Sequence, residues 1–182
     1  ASDGPVCEES ANKVSEVRRY IKSIYGFNKI HVFAARENSQ KKVIANAREN
    51  MLADNEIFIE TEDDNIFSPF FLKFINSGLA HYKEEPNVLA ICGYNYPGFP
   101  SDKPAKAVSL KCFAAWGYGS WRDKDLPKNL NQKELMAEVF ANKKLFSAIN
   151  HGLPHMAPMM KNILDGELRA GDVTRCSLLF KE

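Results

Sequence analysis

Glu60-Thr61-Glu62-Asp63-Asp64-Asn65 follows the apolar run Ile57-Phe58-Ile59 and precedes Ile66-Phe67 and the helix-opening pair Ser68-Pro69. Four acids therefore stand where a buried strand should emerge into solvent. Clustered carboxylates repel one another, and their charge calls for a cation or for hydrogen-bond donors. A hard divalent ion, held by oxygen ligands and in part by substrate phosphates, would meet that need. A solvated acidic loop capping the next helix is the alternative reading of the same residues.

Working outward, Ser68 is an N-cap candidate with Pro69 at the first helical position, and Phe71, Phe74, Ile75, Leu79 and Tyr82 are expected to form the buried face. That helix should end before Pro86. Val88 to Cys92 is a short apolar run of the kind expected for a strand buried on both faces. Upstream, Val14, Val17, Ile21 and Ile24 recur at spacings of three and four, predicting an amphipathic helix from Glu8 to Ile24. Lys29 to Ala35 reads as a strand, Arg36 to Ser39 as the loop leaving it, and Val43, Ile44, Ala47 and Met51 as a second helical stripe before a strand at Glu56–Thr61.

Helix, strand, helix, strand, helix, strand is an α/β order, which implies a mainly parallel, Rossmann-like sheet with helices on both faces. Ligands gather at the carboxyl ends of such strands. Ser2-Asp3-Gly4, Arg36 to Asn38 and the acidic cluster would then face one cleft. A single domain of 182 residues is expected, with residues 1–93 forming a nucleotide-binding part and residues 94–182 an acceptor side.

Composition bounds the function classes. The chain is 45% hydrophobic and 26% charged with a formal net charge of +1, which gives no support to nucleic-acid binding. It has no apolar run of membrane-spanning length and no visible signal peptide. Cys7, Cys92, Cys112 and Cys176 are scattered with no CxxC pair, arguing against a zinc ribbon and for free thiols in a reducing, cytoplasmic setting, with two disulfides as the other arrangement. The start at Ala1 suggests that an N-terminal piece is missing or was processed.

Beyond Gly93, Tyr94 to Pro100 is rich in breakers, and Val108 to Cys112 is a strand candidate. It runs into Phe113-Ala114-Ala115-Trp116-Gly117-Tyr118-Gly119-Ser120-Trp121, which holds both tryptophans. Aromatic faces stack on the apolar faces of sugars; a hydrophobic plug under a long loop is the alternative. Lys133 to Ala148 reads as one helix. His151 and His155 are a surface pair rather than a metal pair, since Gly152 and Pro154 oppose a helix there. Met156, Met159 and Met160 read as helix-face packing. The loop from Asp165 to Asp172 brings further carboxylates before Val173 to Phe180.

The order Ser2-Asp3-Gly4, Arg36-Glu37-Asn38, Glu62-Asp63-Asp64, Ser68 to Phe74, Ile91 to Asn95 and Trp116-Gly117-Tyr118-Gly119-Ser120-Trp121 resembles nucleotide-sugar glycosyltransferases of the GT-A type over about residues 1–123. The likeness is to bacterial transferases of surface polysaccharide and lipopolysaccharide, and the acidic motif is similar to that of animal N-acetylglucosaminyltransferases. Two features depart from the family pattern. The family's first strand and its Thr-Tyr-Asn-Arg-like loop are missing, and Ser39-Gln40-Lys41-Lys42 stands where a glycine is usual. Lys41 or Lys42 would then supply positive charge near the phosphates.

The resemblance implies a Mn or Mg ion, held by Asp64 with Glu62, and Asp63 on the donor's ribose or the ion's waters. It implies Asp3 on the base, a uracil, with Arg36 and Asn38 lining the nucleotide pocket and Trp116 and Trp121 the sugar or acceptor pocket. The activity implied is inverting transfer of a hexose or N-acetylhexosamine from a UDP-linked donor to a glycan or lipid-linked hydroxyl, with peripheral membrane association. Asp172 is the first candidate for the base that deprotonates the acceptor, ahead of Asp123 and Asp125. A non-catalytic nucleotide-sugar or glycan-binding module is the alternative. A phosphohydrolase using Asp63 and Asp64 fits less well, because no second acidic or histidine cluster completes a two-metal site.

Overall fold

The computed structural model describes residues 1–39, 42–94, 107–127, 129–150 and 156–181. Contacts divide the chain into a first unit, Ala1–Glu56, and a second, Ile57–Glu182. The expected boundary between residues 93 and 94 falls inside the second unit. Among the described residues, seven α-helices and a small antiparallel sheet replace the parallel sheet that the element order implied.

In the first unit, α1 (Glu8–Lys22) begins where the Cys7 amide donates to Ser10 Oγ at 3.1 Å, with Glu8 and Glu9 in the first turn and Arg19 and Lys22 in the last, each complementing the helix dipole. Its apolar stripe is only half-covered: Val14 and Ile21 are partly buried, while Val17 and Tyr20 are exposed. Helix α2 (Lys42–Asp54) is preceded by Ser39, whose Oγ accepts from the Val43 amide at 3.1 Å. The strand expected over Lys29 to Ala35 does not form. One parallel bridge, Ser2 to Ala34, is all that this stretch makes, and Ile30 and Val32 stay exposed. A strand is stabilised by its neighbour's ladder and cross-strand side chains, and here the pairing is one residue long.

The second unit opens with β1 (Ile57–Glu60), followed by the acidic turn, α3 (Phe71–His81) and β2 (Ala90–Cys92). The central strand is β3 (Tyr118–Trp121), in the segment read from the sequence as a sugar-stacking stretch or a hydrophobic plug under a long loop. It runs antiparallel to both neighbours in the order β1-β3-β2, pairing Ile57 with Trp121, Glu60 with Tyr118 and Cys92 with Tyr118. This corrects the Rossmann-like, GT-A-like fold expected above: β1 and β2 share a direction but pair only through a strand running against them.

The reason lies at Gly119. A Cβ there would stand 2.5 Å from Ile75 Cγ2 and 2.7 Å from Leu79 Cδ1, so its absence lets α3 lie directly on β3. By the alternation of a strand, Trp121 shares that face and joins Phe71, Ile75, Leu79 and Ile91 in the core. Each such side chain, fully buried, contributes about 1.5–3 kcal/mol relative to exposure. Val108 to Cys112, a strand candidate, takes no strand pairing.

A short 3-10 turn, Arg122–Lys124, leaves β3 and leads to α4 (Gln132–Ala141), α5 (Lys143–Asn150), α6 (Met156–Asp165) and α7 (Gly171–Lys181). The single helix expected over Lys133 to Ala148 is broken at Asn142. That residue ends α4 with an extended ψ of 96°, and its Oδ1 accepts from the Leu145 amide at 3.1 Å, starting α5. Met136, Val139, Ile149, Met160, Ile163 and Val173 fill the helical core without measurable exposure beyond 1%.

One buried ion pair ties this bundle to the sheet. Arg175 of α7 pairs with Asp125, just past β3, and its guanidinium lies over the rings of Phe113 at 5.0 Å and Tyr118 at 5.6 Å. No helix among the described residues is long and apolar enough to cross a membrane.

Candidate functional site

Strand β1 delivers the acidic residues to a rim. Its last residue, Glu60, is held by Tyr118, whose hydroxyl donates to Glu60 Oε2 at 2.9 Å. The chain then turns, with the Asn65 amide donating to the Glu62 carbonyl at 3.4 Å, and Glu62, Asp63 and Asp64 point into solvent. Ser68 closes the turn: its Oγ accepts from the Phe70 amide at 3.2 Å and its carbonyl from the Phe71 amide at 2.9 Å, starting α3.

Beside this turn lies a groove of about 720 Å³. Asp64 and Asn65 form one side of it, Phe67 and Phe71 pack in its wall with centroids 4.3 Å apart, and Tyr94 and Trp116 meet edge to face at 4.7 Å. Trp116 is 45% exposed and Tyr94 39%. Asn65 donates through Nδ2 to Asp64 Oδ1 at 3.2 Å, while its own Oδ1 is buried with no hydrogen-bond partner. A buried acceptor in that state costs free energy until a donor meets it.

The two tryptophans part company. Trp116 lines the groove, whereas Trp121 is 2% exposed under α3, with the Lys124 ammonium 4.1 Å over its ring. Lys124 continues past the ring to the carbonyls of Tyr82, Lys83, Glu85 and Val88 at 3.4, 3.2, 2.7 and 3.2 Å, gathering the end of α3 and the turn before β2.

Asp172 stands in the first turn of α7, half-buried, with its Oδ1 accepting from the Val173 amide at 2.8 Å. It is not a residue of the groove wall, where Asp64 is the single acid. Asp123 sits exposed in the 3-10 turn, and Asp125 is engaged with Arg175.

In the first unit, Asp3 is bound to the loop that carries Arg36 and Asn38. The Ser2 amide donates to the Phe33 carbonyl at 2.7 Å, and Asp3 Oδ1 accepts from the amides of Gly4 and Ser39, each at 2.8 Å. Gly4 presses on the Glu37 backbone so closely that a Cβ would fall 2.2 Å from the carbonyl carbon. Arg18 of α1, which the sequence reading passed over, binds this junction: its Nη2 donates to Ala35 O at 2.5 Å and Asp3 O at 3.0 Å, and its Nε to Ser2 Oγ at 3.2 Å. Arg36 and Asn38 are exposed on the loop beside it.

Asn65 and Tyr94 are the groove residues that sequence reasoning missed. The place of Asn65 directly after Asp64 was the available signal. Lys41, the loop over Asn95 to Pro100, and His151 and His155 lie outside the described residues.

No group of three or more His, Cys, Asp or Glu among the described residues is arranged to hold a metal ion. The acidic turn is therefore no closed protein cage. It fits the other mode of hard-cation binding, in which one or two carboxylates share the ion with substrate phosphates and water. No family model, no curated protein and no solved structure matches the chain.

Proposed function

We propose that this chain is a metal-dependent glycosyltransferase that moves a sugar from a UDP-linked donor to a hydroxyl of a glycan or lipid-linked acceptor. The observation that carries the reading is the groove in which a carboxylate, Asp64, an unpartnered acceptor, Asn65 Oδ1, and an aromatic pair, Tyr94 and Trp116, line one space. Charged diphosphate, sugar hydroxyl and apolar sugar face are the three chemistries those groups suit. The order of motifs over about residues 1–123 supports it independently.

Asp64, with Glu62 beside it, would hold Mn or Mg, which when bound neutralises charge on the departing nucleotide diphosphate. Asn65 Oδ1 accepts a sugar hydroxyl and so positions the ring. Trp116 and Tyr94 stack on its apolar face and exclude water from that side. Asp63, on the same turn, is the proposed nucleotide contact. Asp172 is the proposed base for an inverting reaction, by chain position alone.

A second reading, a non-catalytic nucleotide-sugar or glycan-binding module, is favoured by one observation: among the described residues Asp64 is the only acid in the groove wall, and none of them offers a second carboxylate there to take the acceptor's proton. Calorimetric titration of UDP and GDP, with Mn or with chelator, tests what the two readings share. Metal-dependent binding of one nucleotide, lost in Asp64→Ala, is the expected result; no binding by folded protein refutes both. Release of UDP from UDP-sugars, lowered in Asp172→Asn with nucleotide binding intact, then separates the enzyme from the module.

A further inference from the structure

Two of the four cysteines meet between α7 and the segment that precedes β3. Cys176, on α7, is fully buried, and its Sγ accepts from the Phe113 amide at 3.2 Å while its thiol faces the Phe113 carbonyl at 3.7 Å. That seat places its sulfur 3.2 Å from the backbone amide directly after Cys112, which makes the two thiols neighbours. Cys112 is only partly buried, so a small reagent in solvent reaches it, whereas Cys176 has no exposed surface. The pair is chemically unequal. Cys176 beside it holds the Cys112 thiol below its ordinary value, while Cys112 and burial raise Cys176 above it. An accessible thiol whose ionisation is eased, beside a buried one, is the arrangement of an attacking and a resolving cysteine.

We propose that Cys112 and Cys176 form a reversible intramolecular disulfide that pins α7 to the segment leading into β3. The oxidant is a low-molecular-weight disulfide such as oxidised glutathione. The Cys112 thiolate attacks one of its sulfurs, a Cys112–glutathione bond forms, and one glutathione leaves as thiolate. Cys176 gives up its proton and attacks the Cys112 sulfur, releasing the second glutathione. Two protein thiols are oxidised, and one glutathione disulfide is reduced to two thiols.

The bond would act on the groove. Phe113, which carries the Arg175 guanidinium, and Trp116, which lines the groove, both lie within the few residues between Cys112 and β3. Oxidation therefore restrains the Trp116 wall, reduction frees it. The inference rests on the thiol geometry and stands whether or not the chain is a transferase.

The test treats the full chain with increasing oxidised glutathione, and then with dithiothreitol, followed by non-reducing peptide mapping and thermal unfolding. The expected result is a Cys112–Cys176 peptide pair, reversed by dithiothreitol, with Tm raised by roughly 10 °C in the oxidised form, the size expected when a long loop is closed. Cys176→Ala should stop at a glutathione adduct on Cys112, and Cys112→Ser should leave Cys176 unmodified. The proposal is overturned if the unmutated chain stops at the mixed disulfide, or if Cys112 pairs instead with the partly buried Cys92. Because the unmutated chain decides this, a variant that fails to fold does not rescue it.

Discussion

Removing Asp125 should be far more damaging than its place just beyond a strand suggests. The Arg175 guanidinium is 5% exposed and Asp125 14%, so Asp125→Ala leaves a buried cation without its carboxylate. Breaking such a pair from one side costs about 3–5 kcal/mol. For a unit of this size that lowers Tm by roughly 10–20 °C. Arg175→Met leaves a carboxylate nearer to solvent, which water can reach, so its cost belongs at the lower end of the same range, about 3 kcal/mol. The double variant carries no buried charge and loses the pair's packing with the guanidinium's contact on Phe113 and Tyr118, about 1–2 kcal/mol. The single costs therefore should exceed the double, with a coupling of at least about 2 kcal/mol. Urea unfolding followed by circular dichroism on the four proteins measures it. The exposed Lys181–Glu138 pair, 2.7 Å apart, serves as the internal control, since Lys181→Ala should cost no more than about 1 kcal/mol. Additive single effects, or an Asp125→Ala cost no larger than the control's, would refute the claim that this pair holds α7 to the sheet.

Gly119→Val should destabilise by at least about 1–3 kcal/mol, because its Cβ meets Ile75 and Leu79 before its methyls are placed; unchanged denaturation would mean that α3 does not lie on β3. Lys124→Met, which keeps the stem over Trp121 and removes the ammonium from four carbonyls, should cost about 1.5–3 kcal/mol, with faster amide exchange across residues 82–89. Iodoacetamide should modify Cys7 and Cys112 at lower pH than Cys92. The Ser10 backbone hydrogen bond lowers Cys7 and the neighbouring Cys176 lowers Cys112, so thiolate appears at lower pH, whereas burial raises Cys92. Mass mapping across a pH series checks the order, and early labelling of Cys92 would contradict it.

Elements whose signal is local were legible in the sequence. The spacing of Val14, Val17 and Ile21 located α1 to within two residues at its end, and the Phe71 to Leu79 face located α3, although its N-cap is Phe70 rather than Ser68 and Pro69 lies outside the helix. The acidic cluster does leave a strand, and Trp116 does line a groove. What failed depended on partners distant in sequence. Tyr118 to Trp121 contains glycine and serine, weak strand formers, and becomes the central strand because Gly119 admits α3. Lys29 to Ala35 has the stronger strand composition but only Ser2 to pair with. The two tryptophans look alike in sequence, yet the strand phase that buries Trp121 was invisible until β3 was known.

The central place of β3 has a consequence for how the chain is made. Neither β1 nor β2 has a partner until residues 118–121 exist, and Ser120 Oγ and Lys124 Nζ then reach back to the carbonyls of Leu89 and Val88, at 2.6 and 3.2 Å. During synthesis from the N-terminus, the ribosome must therefore release two apolar strand segments with α3 between them and nothing to close over them. Non-local closure of this kind is slow, and unpaired apolar segments are prone to aggregate while they wait. A nascent chain halted between residues 92 and 118 should bind holdase chaperones, and one extended past Lys124 with room to leave the ribosome should let them go.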